Sequence, residues 1–316
     1  MRVPRIGGIV ALLVVIFVVN ASAEEMQLRI GAIDAILTMP DKATRPPVAL
    51  LIAGSGPTDR DGNPPQIKPA TLKKLSDALV ARGIATLRYD KRGAGGWKKE
   101  FGRPEDFRFK DFVDDATALV AHLRDSGKFS RVVVIGHSEG GLVAILAAQR
   151  TAVDRLVLLA TASRRQGDLL KEQLARQMRP ATRAPVTEFI DAMMEGRIVD
   201  PVPPGVPPQL AFTPAVQPGY ASALVADPLP PLKSLGLPIL IAAGGRDRQV
   251  PRQDFDALAA AAPSAETLWL PDMNHVLNDV RDEADDLAAY NQPERALNAK
   301  LIEAIAAFVL GDAFTK

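Results

Sequence analysis

The sequence predicts an α/β fold, a mostly parallel sheet with helices on both faces and a cap inserted over one end. Short aliphatic runs alternate with helical patterns along most of the chain, as in Val48–Ala53 followed by Thr71–Arg82. The alternation breaks at 163–220, where prolines are dense between Asp200 and Pro218 and oppose regular structure. That break predicts the inserted cap, with a disordered linker as the alternative.

The elements are predicted in chain order from periodicity and from their flanking residues. A hairpin at Gln27–Met39 alternates around Gly31, and Pro47 and Gly54 bound the first buried strand. The strands after the hairpin are Val48–Ala53, Ala85–Tyr89, Arg131–Ile135, Arg155–Leu159, Ile239–Ala243 and Thr267–Leu270. The helices are Thr71–Arg82, Phe112–Leu123, Leu142–Gln149, Arg164–Met178, Val186–Met194, Phe255–Ala262 and Glu294–Leu310. The predicted core therefore comprises 24–162 and 221–316.

The first 23 residues have the pattern of a secretory signal peptide. Arg2 and Arg5 precede the uncharged stretch Ile6–Val19, and the small residues ending at Ala23 suit a signal peptidase. The stretch is shorter than the roughly 20 residues that span a bilayer core. We expect cleavage before Glu24 and a periplasmic or extracellular protein with no stable membrane partner; an uncleaved anchor is the alternative.

Composition narrows the function classes. The chain is 47% hydrophobic and 24% charged, as expected of a globular protein. Its 38 basic and 37 acidic residues and its 5% aromatic content give no sign of a nucleic-acid partner. It has no cysteine, which excludes disulfides, thiolate metal sites and a cysteine nucleophile.

A serine flanked by glycines stands between a predicted strand and a predicted helix. Gly136-His137-Ser138-Glu139-Gly140 matches G-x-S-x-G in the strand–turn–helix context that a nucleophile elbow needs. The turn is so tight that larger residues at the glycine positions would clash, and it lifts the serine hydroxyl above the sheet. Ser138 is therefore the predicted nucleophile.

A serine nucleophile needs a base, and the base needs a group that orients it. Of the three histidines, His122 lies within a predicted helix and His137 within the elbow, so His275, in the loop after strand Thr267–Leu270, is the predicted base. Asp247 follows strand Ile239–Ala243 and completes the order Ser, Asp, His. Asp227 is the alternative acid.

Acyl transfer also needs hydrogen-bond donors for the oxyanion. The backbone N–H of Glu139, next to the nucleophile, is one predicted donor. The second is the N–H of Ser55, with Gly54 as the alternative, because small residues after strand Val48–Ala53 let a backbone approach the substrate.

These stretches resemble a known family. GSGPTDRDGN, YDKRGAGG, GHSEGG, GGRDRQVP and NHVL make residues 30–310 similar to the bacterial serine-aminopeptidase-like branch of the α/β-hydrolase superfamily, whose members include esterases and acyl hydrolases. The resemblance implies the α/β-hydrolase fold and a serine catalytic triad. The chain departs from the family at Ala53, where many members have a histidine before the oxyanion glycine.

The leading hypothesis is a secreted carboxylesterase that works through an acyl-enzyme on a small-molecule ester. The runner-up is a serine aminopeptidase or amidase acting on short peptides, with Glu139 or cap acids binding the free amino group. A hydrolase-fold binding protein without catalysis, or a membrane-tethered partner-binding protein, is the remaining alternative. None of the favoured mechanisms needs a cofactor.

Two charged segments receive structural interpretations. The stretch Asp59-Arg60-Asp61-Gly62 lacks the later ligands of a calcium loop, so no metal site is predicted. Within the family pattern, Arg60, Asp61 and Asp90 are expected to pair with one another or with Arg92 and so to fix two loops near the site. The acidic run at 279–286 is expected to be a solvated face.

Overall fold

An eight-stranded sheet runs through the part of the chain that the computed structural model describes, namely residues 24–95, 103–207, 210 and 212–312. The predicted signal peptide, 1–23, lies outside the described residues. The strands are β1 (Glu24–Ile30), β2 (Ile33–Met39), β3 (Val48–Ile52), β4 (Ala85–Tyr89), β5 (Val132–His137), β6 (Arg155–Leu159), β7 (Ile239–Gly244) and β8 (Glu266–Leu270).

The strand order is β1-β2-β4-β3-β5-β6-β7-β8. Strand β2 pairs antiparallel with β1 and with β4. All other neighbouring strands in this order are parallel. The loops that follow β3 to β8 therefore emerge at one edge of the sheet, where ligands bind in folds of this kind. The predicted α/β architecture with a mostly parallel sheet is confirmed.

Ten α-helices accompany these strands within the described residues. They are α1 (Thr71–Val80), α2 (Lys110–Asp125), α3 (Glu139–Ala148), α4 (Gln166–Gln177), α5 (Pro180–Met194), α6 (Gln217–Leu224), α7 (Leu229–Lys233), α8 (Arg252–Ala261), α9 (Glu283–Ala289) and α10 (Ala299–Leu310). None of them is both long enough and apolar enough to cross a bilayer.

Alternate residues of the central strands face two separate apolar clusters. Leu50 of β3 packs in the cluster that contains the apolar faces of α2, α3 and α8. Its neighbour Leu51 packs in the cluster that contains those of α1 and α10. A side-chain period of two explains why β3 is apolar at every position: both faces of the sheet are covered.

Between β6 and β7 the chain forms α4 to α7. Helices α4, α5 and α6 share an apolar cluster of their own, made of Leu174, Val186, Phe189, Ile190, Met193, Phe212 and Leu224. The segment joins the core through Asp254 of α8, which accepts hydrogen bonds from the backbone N–H and the hydroxyl of Ser163 at 3.0 and 2.7 Å. The same carboxylate pairs with Arg164 at 2.8 Å. The cap boundaries at 163 and 220 stay a prediction.

Several helix boundaries differ from the sequence expectation for local reasons. Helix α10 begins at Ala299 rather than 294, because the Asn298 side chain accepts a hydrogen bond from the N–H of Leu301 and caps it. Helix α5 begins at Pro180, since proline suits the first turn of a helix. Helix α3 begins at Glu139, directly after the elbow.

The acidic run at 279–286 is not simply a solvated face, so that expectation was wrong. Asp286 is buried and accepts a hydrogen bond from Asn274 Nδ2 at 2.8 Å. Asp285 pairs with Arg295 at 2.7 Å, and the run forms most of α9.

Candidate active site

Ser138 occupies a strained turn between β5 and α3. Its backbone has φ 55° and ψ −122°, a conformation that costs a non-glycine residue energy and is concentrated at functional sites. The flanking glycines are required by space. A Cβ on Gly136 would lie 2.2 Å from the Gly140 carbonyl oxygen, and one on Gly140 would lie 2.3 Å from the carbonyl oxygen of Ile52.

His275 is joined to Asp247 across two neighbouring loops. Its Nδ1 lies 2.8 Å from Asp247 Oδ2, and both side chains are almost fully buried. The other carboxylate oxygen accepts the N–H groups of Gln249 and Val250 at 2.8 and 2.9 Å. Because an ionised carboxylate only accepts, the shared proton sits on Nδ1, which leaves Nε2 as the acceptor nitrogen of the ring.

Ser138 and His275 line the same cavity. It has a volume of about 170 Å³, and its walls include Gly54, Ser55 and His137. A Cβ on Gly54 would lie 3.3 Å from the Cβ of Ser138, so the β3 loop passes directly beside the serine. We call this space the first cavity.

The alternative residues lie elsewhere or have other partners. Asp227 is exposed and accepts a hydrogen bond from the N–H of Leu229 at 2.9 Å, at the start of α7. His122 is exposed on α2. His137 is buried, and its Nε2 lies 2.8 Å from the carbonyl oxygen of His275. Since that oxygen only accepts, Nε2 carries the proton and donates.

Burial lowers the pKa of His137 to about 4, with a smaller contribution from the neighbouring His275. The ring is therefore neutral at physiological pH. A neutral donor at this position tethers the His275 backbone without adding charge beside the predicted base.

A buried lysine that the sequence reasoning did not single out connects the two predicted oxyanion loops. Lys91 follows β4, and its Nζ lies 2.7 Å from the Gly54 carbonyl oxygen and 2.8 Å from Glu139 Oε1. The ammonium also lies 4.2 Å from the centre of the Phe112 ring.

The ion pairs around the charged stretch Asp59-Arg60-Asp61-Gly62 differ in part from expectation. Arg60 pairs with Asp90, as expected, but Asp61 pairs with Arg88. Arg92 instead pairs with Asp115 at 2.7 Å.

A second cavity of about 340 Å³ opens between the core and the segment that follows β6. Its apolar walls include Phe107, Phe112 and, from α6, Tyr220 and Ala223. Glu139, next to Ser138 in the chain, also lines it. Burial, and to a lesser extent Glu139, raise the pKa of Tyr220, so its phenol stays protonated.

A larger open depression of about 830 Å³ lies beside β8 and α10, between Thr267 and Glu303, and none of the predicted site residues lines it. Within the described ranges, no group of three or more histidine, aspartate or glutamate side chains is arranged to hold a metal ion.

A model of the alpha/beta hydrolase family matches residues 49–290, most of the chain. The chain belongs to the alpha/beta hydrolase family. This α/β-hydrolase is 27% identical over 261 residues to the esterase EstD of Thermotoga maritima, a match that covers 81% of the chain and 60% of that protein. The chain thus spans only about 60% of the length of this curated relative.

Solved structures share the fold of this α/β-hydrolase. Est1E from Butyrivibrio proteoclasticus, solved with ferulic acid bound, superposes with a TM-score of 0.57 at 20% identity, covering 91% of this chain and 98% of that one. A puromycin-hydrolyzing peptidase of Mycobacterium tuberculosis gives 0.58 at 18% identity, covering 92% and 40%. At these identities the likeness establishes the fold alone.

Proposed function

We propose that this α/β-hydrolase is an exported serine hydrolase that cleaves carboxylic esters through an acyl-enzyme. The observation that carries the proposal is the 2.8 Å contact between His275 Nδ1 and Asp247 Oδ2, with His275 and the strained Ser138 lining one cavity. A nucleophile, a base and a group that orients the base are the parts that acyl transfer needs. The esterase relative in Thermotoga maritima supports the same reaction class.

In the proposed reaction Ser138 Oγ attacks the ester carbonyl carbon while His275 Nε2 takes the hydroxyl proton. The N–H groups of Ser55 and Glu139 stabilise the tetrahedral oxyanion. Collapse breaks the bond to the alcohol oxygen, which leaves with the proton that His275 returns. Water then attacks the acyl-enzyme by the same route, giving the carboxylic acid and free Ser138.

The charges around the site favour esters over peptides with a free amino terminus. Among the described residues that line the two cavities, Glu139 alone carries a carboxylate side chain. Lys91 neutralises its charge, with Nζ 2.8 Å from Oε1. An aminopeptidase needs an uncompensated anion to bind the ammonium group of its substrate. The peptidase alternative therefore lacks its binding group in the described site.

The positions of the two cavities indicate where the alcohol and the acyl group of the ester bind. The alcohol must lie beside His275, which protonates it, so it occupies the first cavity of about 170 Å³. The acyl group then extends into the second cavity of about 340 Å³, where Phe107, Phe112 and Tyr220 offer aromatic walls. A cavity of about 150 Å³ holds benzene, so the second cavity has room for an aryl or a medium-length alkyl acyl group.

The decisive experiment exposes the purified protein and its Ser138→Ala variant to a fluorophosphonate probe and to p-nitrophenyl esters of increasing acyl length. We expect wild-type labelling and turnover that are both lost in the variant. A folded wild type that neither labels nor hydrolyses any ester would contradict the proposal and favour a binding function. A panel of aminoacyl amides, run in parallel, tests the peptidase alternative.

The acyl assignment has its own test in Ala223→Trp, which fills the second cavity. We expect kcat/KM for a benzoyl or hexanoyl ester to fall about tenfold or more, while that for an acetyl ester changes little. Val225→Trp, at the exposed end of α6, is the matched control. Equal losses on short and long acyl groups would place the acyl chain elsewhere.

The proposed export rests on the first 23 residues. N-terminal sequencing of the protein from the cell exterior or periplasm should give a chain that begins at Glu24. A chain that retains Met1 would contradict cleavage.

A further inference from the structure

A positive charge lies where the fold gives it no access to solvent. The Lys91 side chain has 0% relative exposure. Burying an ammonium costs several kcal/mol unless charge and hydrogen bonds compensate it. The compensation comes from three groups: the carbonyl of Gly54, the carboxylate of Glu139 and the face of the Phe112 ring.

The partners of Lys91 are the two segments that carry the predicted oxyanion donors. The Gly54 carbonyl and the Ser55 N–H belong to one planar peptide group and point in opposite directions. A hydrogen bond that fixes the carbonyl therefore also fixes the direction of the N–H. Because the donor is charged, it polarises the peptide group and strengthens the N–H as a donor.

The second contact reaches the other donor. Glu139 supplies its own N–H to the predicted oxyanion hole, and its side chain is held by Lys91 Nζ at 2.8 Å. Lys91, Gly54 and Glu139 follow β4, β3 and β5, which are neighbours in the sheet. One side chain thus ties together three loops that are far apart in sequence.

We propose that Lys91 is a positioning residue that holds the Ser55 and Glu139 N–H groups aimed at the oxyanion and polarises the Ser55 donor. The proposal rests on the esterase function proposed above. It requires the contribution of Lys91 to appear in the transition state and not in substrate binding, since the oxyanion forms only as the reaction proceeds.

The alternative is a purely structural ion pair, and the two roles differ in what they predict. Replacing both members of a buried ion pair by neutral groups is often harmless to stability, whereas removing one member leaves an unpaired charge. The double variant Lys91→Met, Glu139→Gln therefore removes the cation without that penalty. A structural pair would leave the kinetics of a folded double variant unchanged.

The experiment measures kcat and KM for one p-nitrophenyl ester and the inhibition constant of a boronic acid, which forms a tetrahedral adduct with a serine. For the double variant we expect kcat to fall about 10- to 100-fold, KM to stay within about threefold, and boronate binding to weaken as much as kcat. The control Lys171→Met, Asp191→Asn removes a lysine–aspartate pair of the segment after β6, with 2.6 Å between its charged atoms, and should match wild type.

A second variant keeps the proposal testable if the double variant does not fold. Lys91→Gln keeps a neutral donor near the Gly54 carbonyl and removes the buried cation, while the Glu139 carboxylate, which lines the second cavity, stays within reach of solvent. We expect kcat to fall about 10-fold, KM to stay within about threefold and boronate binding to weaken as much as kcat. An unchanged kcat in folded Lys91→Gln would overturn the positioning role, as would an unchanged kcat in the folded double variant.

If the proposed esterase function itself is wrong, the wild-type protein will show neither ester turnover nor labelling by the fluorophosphonate probe. An active wild type that loses activity in Ser138→Ala, together with a fully active double variant, would refute the role of Lys91 alone.

Discussion

At the scale of single residues, the lack of space around the elbow constrains which residues the site tolerates. We expect Gly136→Ala to destabilise the protein by about 3 kcal/mol or more, because the added methyl group meets the backbone of Gly140 and Gly141 at 2.2–2.5 Å and neither can move aside. Urea unfolding measures the change. Gly236→Ala is the control, since a Cβ there has no atom within 4 Å, and it should stay within about 1 kcal/mol of wild type. Equal effects would contradict the spatial argument.

His137 gives a residue-scale prediction about pH. Its pKa is about 4 in the folded protein and about 6.5 in the unfolded chain, so the unfolded state binds more protons between these values. Stability therefore falls as the pH drops from about 6.5 to 4, by about 3 kcal/mol from this group. His137→Gln keeps a donor for the His275 carbonyl and should lose that part of the acid sensitivity. Parallel pH profiles of unfolding free energy for the two proteins would contradict the prediction.

Which site residues the sequence reveals depends on how distinctive their surroundings are. Ser138 is marked by glycines on both sides, and His275 stands out because the chain has only three histidines. Lys91 has no such mark: it is one of 38 basic residues, and only the meeting of three loops makes it special. The burial of Asp286 cannot be read from the sequence for the same reason, since its partner, Asn274, lies outside α9, in the loop after β8.

At the scale of secondary structure, strands are predicted better than helix ends. Each predicted strand is present, and the central strands are the easiest to predict, because runs that are apolar on both faces have few alternatives once the sheet is covered. Helices α6, α7 and α9 are not predicted, since prolines or acidic residues mask their periodicity. Helix α6 begins only at Gln217, with Pro218 in its first turn, where a proline does not interrupt a helix.

Asp254 gives a prediction for the junction between the core and the segment after β6. Asp254→Ala should lower the free energy of unfolding by about 2–3 kcal/mol, because it removes the buried acceptor of Ser163 and one of the two carboxylates that pair with Arg164. It should also expose the segment after β6 to limited proteolysis. Asp256→Ala, which breaks only an exposed pair with Arg252, should cost less than about 1 kcal/mol. A similarly stable Asp254→Ala protein would contradict the anchoring role.

At the scale of the whole molecule, the proposed site is assembled from loops that follow five strands. Ser55, Lys91 and Glu139 come after β3, β4 and β5, while Asp247 and His275 come after β7 and β8. Pairing of strands so distant in sequence is slow, because closing the long loops between them costs entropy before their contacts form.

This assembly predicts that activity returns on refolding only with the complete sheet. After dilution from urea, ester hydrolysis should recover with the rate constant of the last far-ultraviolet circular dichroism phase. Activity that appears before that phase would show that the site forms without the full parallel sheet. Wild-type protein held folded throughout provides the reference activity.

The second cavity combines walls from two parts of the chain: Phe112 belongs to the core, whereas Val216, Tyr220 and Ala223 come from the segment after β6. The groups proposed to react all stand on core loops. The residues that would select the acyl group and the residues proposed to react with it therefore belong, in large part, to different segments of the chain. A combinatorial library confined to those three positions should sample new acyl preferences while leaving the reactive groups intact.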